Sequence, residues 1–171
     1  ATLLIQGGFH PREVSTDLFQ DCVLRNVLAQ EESFIEAAKA YRDLGHRVVV
    51  LFDRGAMDCE AYMKSPAAFE QLVASLGLTL HDICEGRYHA VIHMQTAAIG
   101  AEPFYTRENN PARLENLEEA READRKTLQA WQRHHHPRMI DNSTDFDGKI
   151  ARVLAEVCSV LGDPEPIERE Q

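Results

Sequence analysis

Val48-Val49-Val50-Leu51-Phe52 is apolar throughout, mostly β-branched, and stops abruptly at Asp53-Arg54-Gly55. A short run with no polar alternation predicts a strand buried on both faces, as in a parallel sheet. Helical periodicity precedes it from about Ser15 to Leu44, and a break near Gln30-Glu31-Glu32 would divide that stretch into two helices. Phe34, Ala38 and Tyr41 mark one face of the second part, and Gly45 suits the left-handed position past its end. Ser65-Pro66 then gives an N-cap followed by proline at the first helical position. Phe69, Leu72, Val73 and Leu76 form that helix's apolar stripe, and a shorter helix is expected near Leu80–Cys84.

A second strand is expected at Ala90–Met94, ending in Gln95-Thr96-Ala97-Ala98. Asn116 and Glu119 form a capping-box pattern for a helix reaching about Trp131. A third strand, Met139-Ile140, runs into Asp141-Asn142-Ser143-Thr144, and Ile150, Leu154, Val157 and Leu161 mark a last helix. Helices alternating with apolar strands predict an α/β fold, a three-layer α/β/α arrangement around a parallel sheet. Three strands against about six helices is little sheet for so much helix. The expectation is therefore that strands of this fold precede residue 1.

The chain's 171 residues fit one domain, placed at 1–162, with Pro164-Glu165-Pro166 opening a linker over 163–171. A net charge of −10 argues against a nucleic-acid backbone or an anionic membrane as main partner, but a few clustered arginines can still hold a small phosphate ligand. Cys22, Cys59, Cys84 and Cys158 lie far apart with no C-x-x-C, which predicts reduced structural thiols. No apolar run has the length of a membrane span and no signal peptide is visible, so a cytoplasmic setting is expected.

In open α/β sheets, ligands bind beyond the carboxyl ends of the strands. Asp53-Arg54, Gln95-Thr96 and Asp141–Asp145 all fall at that edge. A carboxylate there can orient Mg²⁺-bound water or take a hydroxyl proton, and an arginine beside it can fork onto a phosphate. Asp53 equally suits a strand-end cap or an ion pair with Arg54. Between Gly100 and Asn116 the chain is polar, and Asn109-Asn110-Pro111 lies between Arg107 and Arg113. Such a segment is either a lid carrying two phosphate-binding arginines or a solvated loop. His134-His135-His136 could bind a metal, but it has no acidic or cysteine partner at ligand spacing, and a loop tract after a helix more often reads as solvated.

Asp53-Arg54-Gly55-Ala56-Met57-Asp58 with Ala61-Tyr62 resembles the D-R-G-x-x-D-G-x-A-Y segment of a P-loop kinase-like family. That family includes NadR-type nucleoside kinase domains and the TRPL translocation defect proteins. His93-Met94, Thr96-Ala97-Ala98, Gly100-Ala101-Glu102, Tyr105-Thr106, Asn109-Asn110, Ala112-Arg113 and Ile140–Thr144 follow in the family's order. The resemblance covers nearly the whole chain.

It implies a P-loop fold that binds ATP or GTP with Mg²⁺ and transfers or hydrolyses the γ-phosphoryl group. Asp53 would be the catalytic or metal-organising carboxylate and Arg54 a phosphate ligand. Asp58 and Tyr62 would face the acceptor, Arg107 and Arg113 would be lid arginines, and Asn142, Ser143 and Thr144 would lie near the base. Cys59 stands where the family usually has Gly, which would tighten a turn. No G-x-x-x-x-G-K-[ST] occurs in these residues, and in the family it precedes a segment like Ala1–Gly8. The expectation is that it lies before residue 1; the alternative is a non-catalytic nucleotide-fold scaffold or assembly subunit that has lost the loop. Glu168-Arg169-Glu170-Gln171 resembles the start of a CYTH-type E-x-E-x-K strand, implying a CYTH-like domain beyond the linker.

Overall fold

The periodic stretch after Ser15 folds as one uninterrupted helix, α2 (Thr16–Asp43), which follows a short α1 (Thr2–Gln6). The expected break near Gln30 does not occur. Gln30, Glu31 and Glu32 all favour helix, and the stretch holds neither Gly nor Pro to interrupt it. Side-chain pairs four residues apart, Arg25 Nε with Asp21 and Gln30 Nε2 with Asn26, both at 2.8 Å, brace the exposed side. Ser15 caps the helix by accepting the Leu18 amide at 3.2 Å.

The computed structural model describes residues 1–106 and 115–162, which fall into two compact units, Ala1–Ile83 and Cys84–Gln171. In the first unit, α2 is followed by α3 (Asp58–Tyr62), α4 (Pro66–Ser75) and α5 (Leu80–Cys84), the last ending at the unit boundary. Phe19, Val23, Leu24, Met57, Phe69, Val73 and Ile83 form its core. Ser65 accepts the Ala68 amide at 3.2 Å with Pro66 opening α4, the start that the sequence signals.

Val48–Phe52 departs from expectation. It is irregular backbone, and Val48, Val49 and Leu51 are 40%, 48% and 74% exposed. The sheet formed by the described residues has two strands, β1 and β2, and neither lies in this segment. Apolar, β-branched composition fits a strand only where a neighbour supplies ladder partners for its amides and carbonyls.

In the second unit β1 (Val91–Met94) and β2 (Pro137–Ile140) pair in parallel, with Val91 opposite Pro137 and Met94 opposite Ile140. Between them lie a 3-10 turn (Glu102–Phe104) and α6 (Leu117–Trp131); α7 (Phe146–Leu161) follows β2. Asn116 and Glu119 make the full capping box of α6, and Gly162 ends α7 with φ 69°. The described fold is thus mixed α/β with a small parallel sheet and a helical majority. No helix among the described residues is long and apolar enough to cross a membrane.

Candidate functional site

Two polar clusters contain site residues singled out in the sequence, one in each unit. In the first, Arg54 is the sole described non-glycine residue at positive φ, 83°. A side chain there crowds the backbone at a cost of about 1–2 kcal/mol, so surrounding contacts must enforce it. Two of those contacts are visible. Arg54 Nη1 lies 3.2 Å from Asp58 Oδ2, and Nη2 donates to Tyr62 Oη at 3.3 Å. Asp58 opens α3 and Tyr62 closes it, so one turn of helix aligns both with the arginine four and eight residues earlier. Ala56, Met57, Cys59 and Ala61 are buried and fix this turn from beneath.

Partial desolvation works against the Arg54 charge, yet Asp58, Tyr62 and Asp53 together hold its pKa above the ordinary value. The Arg54 side chain as a whole is 59% exposed. Asp53 is exposed and lines a cleft of about 220 Å³ with Val27, Gln30, Glu31, Phe34 and residues 50–52. Arg54, Asp58 and Tyr62 therefore form one constellation, with Asp53 beside it on the cleft wall.

Cys59 lies inside α3 without positive φ, so the turn expected to need glycine is an ordinary helical turn. Its thiol is pushed up to about 12 by burial, with the Asp58 charge adding to the effect. It is an inert core group at neutral pH.

In the second unit, the parallel pairing of β1 with β2 brings the segments after both strands to one edge. Asn142 is locked there: Nδ2 donates to the Thr96 and Ile99 carbonyls at 2.8 and 2.7 Å, and Oδ1 accepts from Lys149 Nζ at 2.6 Å. Ser143 donates from Oγ to Asp141 Oδ1 at 2.6 Å. Thr144 Oγ1 accepts from Arg152 at 3.0 Å, and Arg152 also holds Asp141 Oδ1 at 2.7 Å. Hydrogen bonds from Ser143 and Arg152 lower the Asp141 carboxyl to about 2. Asp145 caps α7 through the Gly148 amide at 2.9 Å, where a Cβ on Gly148 would stand 3.0 Å from that of Thr144. Glycine is what lets the loop close on the helix.

Three residues of this cluster were given no role from the sequence. Lys149 is buried and donates to the Gln95 carbonyl as well as to Asn142, both at 2.6 Å. Burial, then the nearby Arg152 charge, lowers its pKa. Asp124 accepts the Thr96 amide at 2.7 Å, and its other oxygen lies 3.3 Å from His93 Nε2, off the hydrogen-bond direction. Both side chains are 8% exposed. A lysine at the start of α7, just after the polar Asp141–Asp145 loop, was the available signal for Lys149. His93 stood in a motif of the resemblance, but its encounter with Asp124 had no signal, because 31 residues separate them in sequence.

Arg107, Arg113 and the Glu168–Gln171 segment lie outside the described residues. The histidine tract does not stand alone: the carboxylate of Glu85, which sequence spacing could not connect to it, contacts His135 Nδ1.

A family model described as AAA domain matches residues 11–149, which takes in Asp53, Arg54, Asp58, Tyr62, the β1–β2 edge and Lys149. Neither the curated proteins nor the solved structures include a match to the chain.

Proposed function

Because the chain belongs to the AAA domain family, a P-loop NTPase-like family, we propose that it binds a purine nucleoside triphosphate with Mg²⁺ and transfers or hydrolyses the γ-phosphoryl group. The observation that carries the reading to particular residues is the positive φ of Arg54. Strained backbone of this kind collects at ligand clamps, and here it holds a partly exposed arginine beside the cleft-lining Asp53.

Under this reading Arg54 grips a phosphate oxygen with the donors left over from Asp58 and Tyr62, and those two residues orient it toward the acceptor side. Asp53 serves as base or metal-organising carboxylate. Mg²⁺ keeps several waters and needs only one or two protein carboxylates beside the phosphates, so an exposed aspartate on a cleft wall fits it. The bound cation would neutralise charge developing on the phosphoryl oxygens. Arg107 and Arg113 are assigned as lid arginines, and Asn142–Thr144 as the segment near the base. The NadR-type or TRPL-type affiliation and cytoplasmic location remain parts of this proposal.

A second reading is a non-catalytic nucleotide-fold subunit of an assembly. It draws on the exposed apolar side chains of Phe34, Leu44, Val48, Val49 and Leu51.

Fluorescent-nucleotide binding and phosphate release measured on the protein separate the two. Asp53→Asn keeps shape and deletes charge, so the first reading expects wild-type folding with turnover reduced by about 10²-fold or more. Nucleotide binding without turnover in the wild type would favour the second reading, and turnover unchanged by Asp53→Asn would return Asp53 to a capping role.

A further inference from the structure

Glu85, His134 and His135 lie in the second unit, and one donor atom from each stands within 4.8 Å of the other two. None belongs to the constellations described above. The chemistry of each donor can be read from its hydrogen bonds. The His136 amide donates to His134 Nδ1 at 2.9 Å, so this nitrogen carries a lone pair and the ring proton sits on Nε2. Nε2 in turn donates to the Tyr88 carbonyl at 2.9 Å. An imidazole whose second N–H is held by a backbone carbonyl is the arrangement that orients metal-binding histidines and raises their basicity. Trp131 packs edge-on near the His134 ring, which is 2% exposed and cannot swing away.

His135 stacks on His134 at a centroid distance of 4.5 Å and pairs through Nδ1 with the Glu85 carboxylate. Its side chain is 55% exposed, which leaves an entry path from solvent.

We propose that Glu85, His134 and His135 form a binding site for a borderline divalent cation of the Zn²⁺ class. Two imidazole nitrogens and one carboxylate oxygen suit zinc or its first-row neighbours better than Mg²⁺ or Ca²⁺, which prefer all-oxygen shells. Three protein ligands leave a tetrahedral ion one position for water. On binding, the cation takes the lone pair that the His136 amide now engages and inserts between His135 and Glu85. The Nε2–H to Tyr88 bond is retained as the outer support. The carboxylate supplies the one negative ligand of the triad, and the chain as a whole carries −10.

The test is calorimetric titration of the untagged chain with Zn²⁺ alone, repeated with Co²⁺ to read its visible absorption. One ion per chain is expected. Glu85→Gln and His135→Ala, both at solvent-accessible positions, should each weaken affinity by at least about tenfold and abolish the Co²⁺ bands. His136→Ala keeps the backbone amide and should leave binding unchanged. Circular dichroism checks that each variant is folded. No stoichiometric Zn²⁺ in the wild type, affinity unchanged in Glu85→Gln and His135→Ala, or a His136→Ala loss as large as that of His135→Ala would each overturn the triad.

Discussion

Lys149 Nζ donates to Asn142 Oδ1 at 2.6 Å, and through that bond α7 holds the loop that follows β2. The same ammonium reaches the Gln95 carbonyl beyond β1, so one buried charge ties together the ends of both strands. Lys149→Met keeps the aliphatic stem but leaves two acceptors without their donor. Charge-assisted bonds contribute about 1.5–3 kcal/mol each, and part of that returns if water enters the gap. Lys149→Met should therefore cost about 2–4 kcal/mol in urea unfolding. A loss under about 1 kcal/mol would mean that the loop is held chiefly by the Asn142 bonds to Thr96 and Ile99.

Asp141 offers a sharper electrostatic measurement. Its carboxyl is lowered from 3.8 to about 2, first by the Ser143 hydroxyl and then by Arg152. A depressed folded-state pKa contributes stability that is fully present above the unfolded value and is lost as pH falls through the folded one. The window here runs from about pH 4 down to about pH 2. Ser143→Ala removes the largest cause and leaves Arg152 in place. Carboxyl titration by NMR should show the Asp141 midpoint rising toward 3.8, with stability less dependent on pH across that window. A midpoint unmoved in Ser143→Ala would assign the depression to Arg152 and the residue-143 backbone amide, which donates to Asp141 Oδ1 at 3.2 Å.

Local signals were legible in the chain and distant ones were not. Ser15, Ser65 and Asn116 each fix a helix start within a few residues, because a cap is satisfied by amides three positions on. The α5 span and the Gly162 terminus follow the same logic. Val48–Phe52 misleads for the opposite reason: residue type records what a strand would suit, while strand formation depends on a neighbour elsewhere in the chain. The candidate sites divide in the same way. Arg54, Asp58 and Tyr62 recur at helical spacing and could be grouped by inspection, whereas Glu85 meets His135 across 50 residues and His93 meets Asp124 across 31. No periodicity reports such encounters.

The φ of Arg54 permits strain and function to be measured separately. A non-glycine residue at φ 83° stores strain, and its ion pair with Asp58 is too exposed to offset much of it, since such pairs contribute about 1 kcal/mol or less. Arg54→Ala deletes the guanidinium and keeps a Cβ in the strained position. Arg54→Gly deletes the same group and releases the strain, although glycine's freedom in the unfolded chain returns part of that gain. Arg54→Gly should therefore be the more stable of the two by about 1 kcal/mol in chemical denaturation. Both variants lack the phosphate fork, so both should lose triphosphate turnover to the same extent. If Arg54→Ala matches Arg54→Gly in stability, the turn relaxes once the side chain is gone, and the positive φ is held by the Asp58 and Tyr62 contacts alone. If instead Arg54→Gly alone retains turnover, the turn's shape and not the guanidinium is what the chemistry requires.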